Sequence, residues 1–189
     1  SIWVLMSVMA TPGHELPVPD ISWVIIEGGV TINLGLIVDS LTAVMLIVVT
    51  VVSLMVQIYS QGYMHGDPGY HRYFASMSLF TMAMLGVVLA SNLLFLYVFW
   101  ELVGLCSYLL IGFWFHKPEA ANAAKKAFIV TRLGDFGFLA AILALYFNTG
   151  TFDIAELHGL AVAGVLTGTI LTWAAIGIFA GAVGKSAQF

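Results

Sequence analysis

Residues 93–115, LLFLYVFWELVGLCSYLLIGFWF, constrain this chain more than any other stretch. Of these residues only Glu101 is charged, and most are large and apolar. A run of this length matches the roughly 17–25 residues that a helix needs to cross the hydrocarbon core of a bilayer. In lipid the backbone must satisfy its own hydrogen bonds, which leaves a transmembrane helix as the fold of the segment. A carboxylate near the middle of such a helix then needs an explanation.

The rest of the chain has the same character. Apolar segments at 40–59, 73–90, 122–147 and 160–183 join 92–115 as candidate spans, and residues 1–10 read as the tail of an earlier one. The runs are too long and continuous for barrel strands. Only 8% of residues are charged and the mean hydropathy is +1.02, whereas a soluble domain carries about 25% charged residues. The expected fold is an all-α polytopic membrane protein with a bundle of at least five transmembrane helices. Residues 1–189 form one transmembrane domain, and both ends fall in apolar runs, as expected for part of a longer chain. A net charge of −4 offers no basic footprint for nucleic acid. The single cysteine, Cys106, cannot form an intrachain disulfide and reads as a small core residue. No cysteine cluster, dinucleotide fingerprint, haem-ligand pattern or metal-ligand spacing is present, so no cofactor is expected in this chain.

Loop charges set an orientation. Residues 60–72 carry Arg72, and 116–126 carry Lys117, Lys125 and Lys126. Residues 11–39 carry Glu15, Asp20, Glu27 and Asp39, and 148–159 carry Asp153 and Glu156, with no Lys or Arg. Five alternating spans place the basic loops on one side, which the positive-inside rule assigns to the cytoplasm, matrix or stroma. Pro12, Pro17, Pro19, Gly13, Gly28 and Gly29 predict an irregular first loop, and Asp39 stands where a helix N-cap belongs.

Glu101 lies ~14 Å into its span, counted from the Asn92 turn, close to the middle of the membrane. A charge there costs ~2.5–3.5 kcal/mol on insertion scales, so a cationic partner is expected. Arg132 and Asp135 in IVTRLGDFGF share one helix face within the membrane. Lys125 and Lys126 sit nearer the basic end, where snorkelling to the headgroups is their ordinary role. Lys185 ends a Gly-rich segment, GIFAGAVGK. The Gly-Lys-Ser triplet lacks the preceding strand and glycine spacing of a phosphate-binding loop. Gly164/Gly168 and Gly177/Gly181 read instead as close helix packing. A straight helix from Leu160 carries Lys185 to the cytoplasmic edge, and a break at Gly181 or Gly184 leaves it at mid-depth. Ion pairs that only glue helices together are the structural alternative for all these charges.

FWELVGLCSYLLIGFWF, KAFIVTRLGDFGF and GAVGKSAQF, in this order, closely resemble the large antiporter-like subunit of respiratory complex I. That family is chain 5, or subunit L, of NADH–quinone oxidoreductase, with its plastid and cyanobacterial relatives. The resemblance covers about residues 35–189 and includes IVDSLTAVML. It implies an antiporter-like inverted-repeat fold, of which the second repeat and a long lateral helix are missing here. It implies proton translocation through Glu101, Lys185 at a helix break, Asp135 with Arg132, and, more weakly, Lys125 at the cytoplasmic entry. A low-dielectric surrounding favours the neutral form of a carboxyl or amine, and an opposite charge restores the ionised form. Changing the separation of Glu101 and Lys185 would therefore switch proton affinity. The resemblance further implies membrane-arm partner subunits, with FMN, iron–sulfur clusters and quinone held by other subunits of the complex. An energy-transducing membrane is the expected location: bacterial plasma, mitochondrial inner or thylakoid. The large subunit of multisubunit cation/proton antiporters shares the WEL glutamate and the GK lysine and is the alternative, while the TRLGD segment leans toward complex I.

Overall fold

The computed structural model describes residues 1–19, 21–26, 30–186 and 188. Helix α1 (Ile2–Ala10) is followed by strands β1 (Ile21–Ile26) and β2 (Val30–Leu34) and by helices α2 (Ser40–Tyr63), α3 (Tyr70–Leu89), α4 (Leu93–Ile111), α5 (Pro118–Thr149), α6 (Ile154–Val162) and α7 (Thr169–Lys185). Helices α2 to α5 are long and apolar enough to cross a membrane, and α7 is a shorter apolar helix. The protein is a multi-pass membrane protein. Its outward-facing side chains agree with that: Leu133 is 80% exposed, Phe136 74% and Trp173 64%, which suits a lipid or partner surface and not water.

Capping side chains set several starts. Asp39 Oδ1 accepts the Thr42 amide at 2.7 Å, Asn92 Oδ1 that of Phe95 at 2.7 Å, and Asp153 Oδ1 that of Glu156 at 2.9 Å. Each bond meets one of the amides that a helix start leaves unpaired. The helices pack in sequence: α1 on α2, α2 on α3, α3 on α4, α4 on α5, and α5 most extensively on α7.

The connections gather at two ends. At one, Trp114 Nε1 donates to Asp67 Oδ2 at 3.1 Å and Arg72 Nη2 donates to the Phe113 carbonyl at 2.7 Å, tying the α2–α3 and α4–α5 turns together. At the other, the amides of Ile37, Leu93 and Ile154 bond to the carbonyls of Leu89, Phe152 and Ser91. The basic connections thus share one end and the acidic ones the other.

Two features differ from expectation. The first loop contains an antiparallel hairpin, β1 on β2, with Ile21 opposite Leu34, Ile26 opposite Val30 and an irregularity between Ser22 and Val24. The segments ISWVII and VTINL are rich in β-branched residues, which favour a pleated strand over an irregular loop. Of that loop, Asp20, Glu27, Gly28 and Gly29 lie outside the described residues.

The segment 160–183 is not one straight helix. Helix α6 stops at Val162 and α7 starts at Thr169. Gly164 and Gly168 adopt left-handed φ values of 77° and 66°, which break the helix at a backbone conformation glycine tolerates. These two glycines make a turn and not a packing seam. Gly177 does pack closely: a Cβ there would lie 2.7 Å from the Gly137 carbonyl oxygen and from Ala141 Cβ. Helices α5 and α7 can approach this closely because Gly137 and Gly177 face each other there and the neighbouring side chain is only the methyl of Ala141.

Candidate functional site

The buried charges converge where α4, α5 and the C-terminal end of α7 meet. Lys185 is the last residue of α7. Its Nζ donates to the Trp100 carbonyl at 2.8 Å and stands 3.8 Å from Asp135 Oδ2. The indole Nε1 of Trp100 donates to Asp135 Oδ1 at 2.7 Å. Trp100 thereby holds the cation with its main chain and the anion with its side chain. The lysine side chain is 14% exposed and the aspartate 2%.

One residue along α4, Glu101 pairs with Arg132, three residues before Asp135 on α5. The Glu101 side chain is 18% exposed and that of Arg132 38%. The Arg132 guanidinium also lies 4.6 Å from the centre of the Phe128 ring. The four central charges therefore form two pairs, Glu101–Arg132 and Lys185–Asp135. The sequence offered Arg132 and Lys185 as cationic partners for Glu101, and the switch it suggested has Glu101 near Lys185 or drawn toward another cation. The structure gives each anion a different cation. Arg132 and Asp135 share a face of α5, and each reaches across to another helix.

The depth of Lys185 comes from where α7 begins, not from a break in it. The helix runs through Gly181 and Gly184 and ends with Ser186 as its C-cap. Seventeen residues from Thr169 rise about 25 Å, which carries Lys185 to the middle of α4. The Gly-Lys-Ser triplet therefore sits at a helix C-terminus, the opposite end from a phosphate cradle.

Lys125 does not join this group. It is exposed on α5, about 10 Å along the helix axis from Arg132, near the basic end. Cys106 is fully buried as a free thiol. Among the described residues no group of three His, Cys, Asp or Glu side chains is placed to hold a metal ion.

Sequence reasoning missed two members of the site. Trp100 read as one more large apolar residue, yet both its polar groups are used. Gly104 drew no reading from the sequence. A Cβ on Gly104 would lie 2.6 Å from Lys185 Nζ, so its bare backbone makes the space in which the ammonium sits. The available signal was spacing: Gly104 is three residues after Glu101 and four after Trp100, hence on their face of α4.

The site can hold two positive and two negative charges without a net charge, in surroundings where an unpaired charge is expensive. The pairs lie one residue apart on α4 and three apart on α5, so a change in one alters the field at the other. Moving a proton on or off either pair leaves its partner charge unbalanced.

Comparison with known proteins gives the same frame. A family model described as NADH:quinone oxidoreductase/Mrp antiporter, transmembrane, matches residues 90–189. One described as NADH-ubiquinone oxidoreductase (complex I), chain 5 N-terminus, matches residues 23–74. A NAD(P)H-quinone oxidoreductase chain 5 from Synechocystis sp. is 50% identical over 181 residues, covering 94% of this chain and 26% of the relative. The chloroplastic NAD(P)H-quinone oxidoreductase subunit 5 of Carpenteria californica is 51% identical over 172 residues, covering 89% and 23%. The chain spans about a quarter of the length of these curated relatives. Among solved structures, the Mrp complex from Dietzia sp. DQ12-45-1b superimposes with a TM-score of 0.80 at 28% identity, over 96% of this chain and 19% of that one. An archaeal membrane-bound sulfane sulfur reductase shares the fold with a TM-score of 0.76 at 24% identity, over 96% and 35%.

Proposed function

The chain belongs to the NADH:quinone oxidoreductase/Mrp antiporter transmembrane family, and we propose that it forms part of the proton-translocating membrane arm of a NADH- or ferredoxin-driven quinone oxidoreductase. The carrying observation is the meeting of Lys185, Asp135, Glu101 and Arg132 at one crossing of α4, α5 and α7. Buried pairs of this kind are weak contributors to stability, and intramembrane ionisable groups mark ion pathways.

In this reading Lys185 is the central proton carrier. Asp135 and the Trp100 carbonyl lie against its ammonium. Glu101 answers to Arg132 in the observed arrangement. If Glu101 moves from Arg132 toward Lys185, it adds a second negative charge beside the ammonium and strengthens proton retention. If it stays with Arg132, the lysine holds its proton with one carboxylate alone. Lys125 stands at the basic end, on the same helix as Arg132 and Asp135, where protons would enter.

Electron transfer belongs to other subunits, which would carry FMN, iron–sulfur clusters and the quinone site. Partners would be the other membrane-arm subunits, within an energy-transducing membrane. The relatives named NAD(P)H-quinone oxidoreductase chain 5 support this assembly. A cation/proton antiporter subunit is the second reading, favoured by the superposition on the Mrp complex.

An affinity tag on the native full-length chain separates them. The assembly that co-purifies in mild detergent is assayed for inhibitor-sensitive electron transfer to quinone. Activity in a large complex with iron–sulfur subunits is expected. A purely membrane-bound assembly without redox activity, but with cation-dependent proton exchange, would move the chain to the antiporters.

A further inference from the structure

The basic end of the bundle holds a feature that the central charges do not use. A cavity of about 360 Å³ opens between α3, α4 and α5, with Arg72, Ser76, Tyr108, Phe113, Phe115 and Lys125 among its walls. Tyr108 and Lys125 also line a neighbouring groove of about 430 Å³, completed by Leu105, Phe128 and Ile129. None of the residues lining either space is acidic. Two cations from two helices thus face one cavity, with an apolar channel beside it.

Arg72 is held in place before any ligand arrives. Its Nη2 donates to the Phe113 carbonyl at 2.7 Å. Its guanidinium carbon lies 4.7 Å from the Phe113 ring centre and 5.1 Å from that of Phe115. A guanidinium has five N–H donors in a rigid fork, and the carbonyl takes one. A side chain that merely snorkels keeps its rotamer freedom; this one has given it up. Phe128 and Ile129 lie one turn nearer the membrane centre than Lys125, so the groove runs inward from the headgroup zone. Helices α3 and α5 each pack on α4 and have little contact with each other, which leaves the cleft for something to fill.

We propose that this cleft binds an anionic phospholipid, with its phosphate between Arg72 and Lys125 and an acyl chain along Leu105, Phe128 and Ile129. The cations select the charge. The groove selects a lipid over a free phosphate, which would leave its apolar walls uncovered. A zwitterionic lipid would bring its own ammonium toward two cations, one of them held in place. The bound lipid would bridge α3 to α5 at the basic end. None of this depends on the proton-translocation reading.

The test uses the native full-length assembly in vesicles doped with a phosphatidylglycerol that carries a photo-reactive group on its acyl chain. The control probe is the matching phosphatidylcholine. Cross-linked peptides are mapped by mass spectrometry. Phosphatidylglycerol should label the Leu105–Tyr108 and Phe128–Ile129 segments about tenfold more than phosphatidylcholine. Arg72→Gln with Lys125→Gln should abolish that preference, Arg72→Lys should keep most of it, and Lys126→Gln, on a lysine that lines neither space, should leave it intact. Inorganic phosphate should not compete. Equal labelling by the two lipids overturns the proposal, and it does so in the unmodified protein, independent of how the variants fold. Competition by inorganic phosphate overturns the lipid as occupant and leaves a soluble-anion site.

Discussion

Trp100 and Gly104 decide where the Lys185 ammonium sits, and neither is charged. The Trp100 carbonyl accepts from the lysine, its indole donates to Asp135, and Gly104 leaves room for the ammonium. Gly104→Ala would set a methyl 2.6 Å from Nζ. The lysine end is flexible and can swing away, so assembly and thermal stability should change little while proton translocation falls. A variant that pumps normally would remove Gly104 from the site. Trp100→Phe should act differently. It leaves the Asp135 carboxylate without its indole donor, at a cost of about 1–3 kcal/mol. Stability and translocation should then fall together, as read by thermal unfolding of the purified assembly beside pumping. The charges themselves were legible in the sequence because a carboxylate or lysine at mid-membrane depth needs a reason. Their pairing was not. Which cation each acid meets depends on the rotation of three helices, and a linear sequence fixes only the face shared within one helix.

At the scale of elements, α7 shows what sequence periodicity misses. An apolar run from 160 to 183 reads as one span, and hydropathy does not register the turn at Gly164 and Gly168. That turn shifts the start of α7 and sets the depth of Lys185. The seam that holds α7 against α5 was better marked, by glycines at helical spacing. Gly177→Val should overpack the contact with Gly137 and Ala141 and destabilise the assembly by about 1–3 kcal/mol, with loss of translocation. Gly159→Val, where an added Cβ meets nothing within 4 Å, should be nearly silent in both. Equal effects from the two would mean that the α5–α7 approach is not tightly packed.

The α2–α3 turn offers a pH-dependent counterpart. Indole donation from Trp114, the Gly69 amide and the nearby Arg72 hold the Asp67 carboxyl below its ordinary value. A carboxyl depressed in the folded state stabilises it above the unfolded value, near pH 4, and loses that contribution as pH falls through the folded value. Asp67→Ala should therefore lower the melting temperature at neutral pH. The gap to the unmodified protein should narrow as the pH drops below about 4. A gap constant across that range would mean that the Asp67 clasp contributes nothing through its charge.

At the scale of the whole molecule, fold class and membrane character followed from one fact: so few charged residues cannot cover a water-exposed surface of this length. The hairpin before α2 escaped notice because its short β-branched strands sit in a stretch whose prolines and glycines suggest irregular backbone. The family was legible from three motifs in order, and it is the family matched over residues 90–189. What the chain does within a longer protein turns on whether the α4–α5–α7 charge group moves protons. The most direct measurement is proton pumping per electron transferred by the native full-length assembly carrying Glu101→Gln, which keeps the size of the side chain and removes its charge. The expected result is a severalfold fall in pumping, with the complex assembled and electron transfer retained in the presence of an uncoupler. Undiminished pumping by that variant would contradict a proton-switching role for the site and leave its charges as structural pairs.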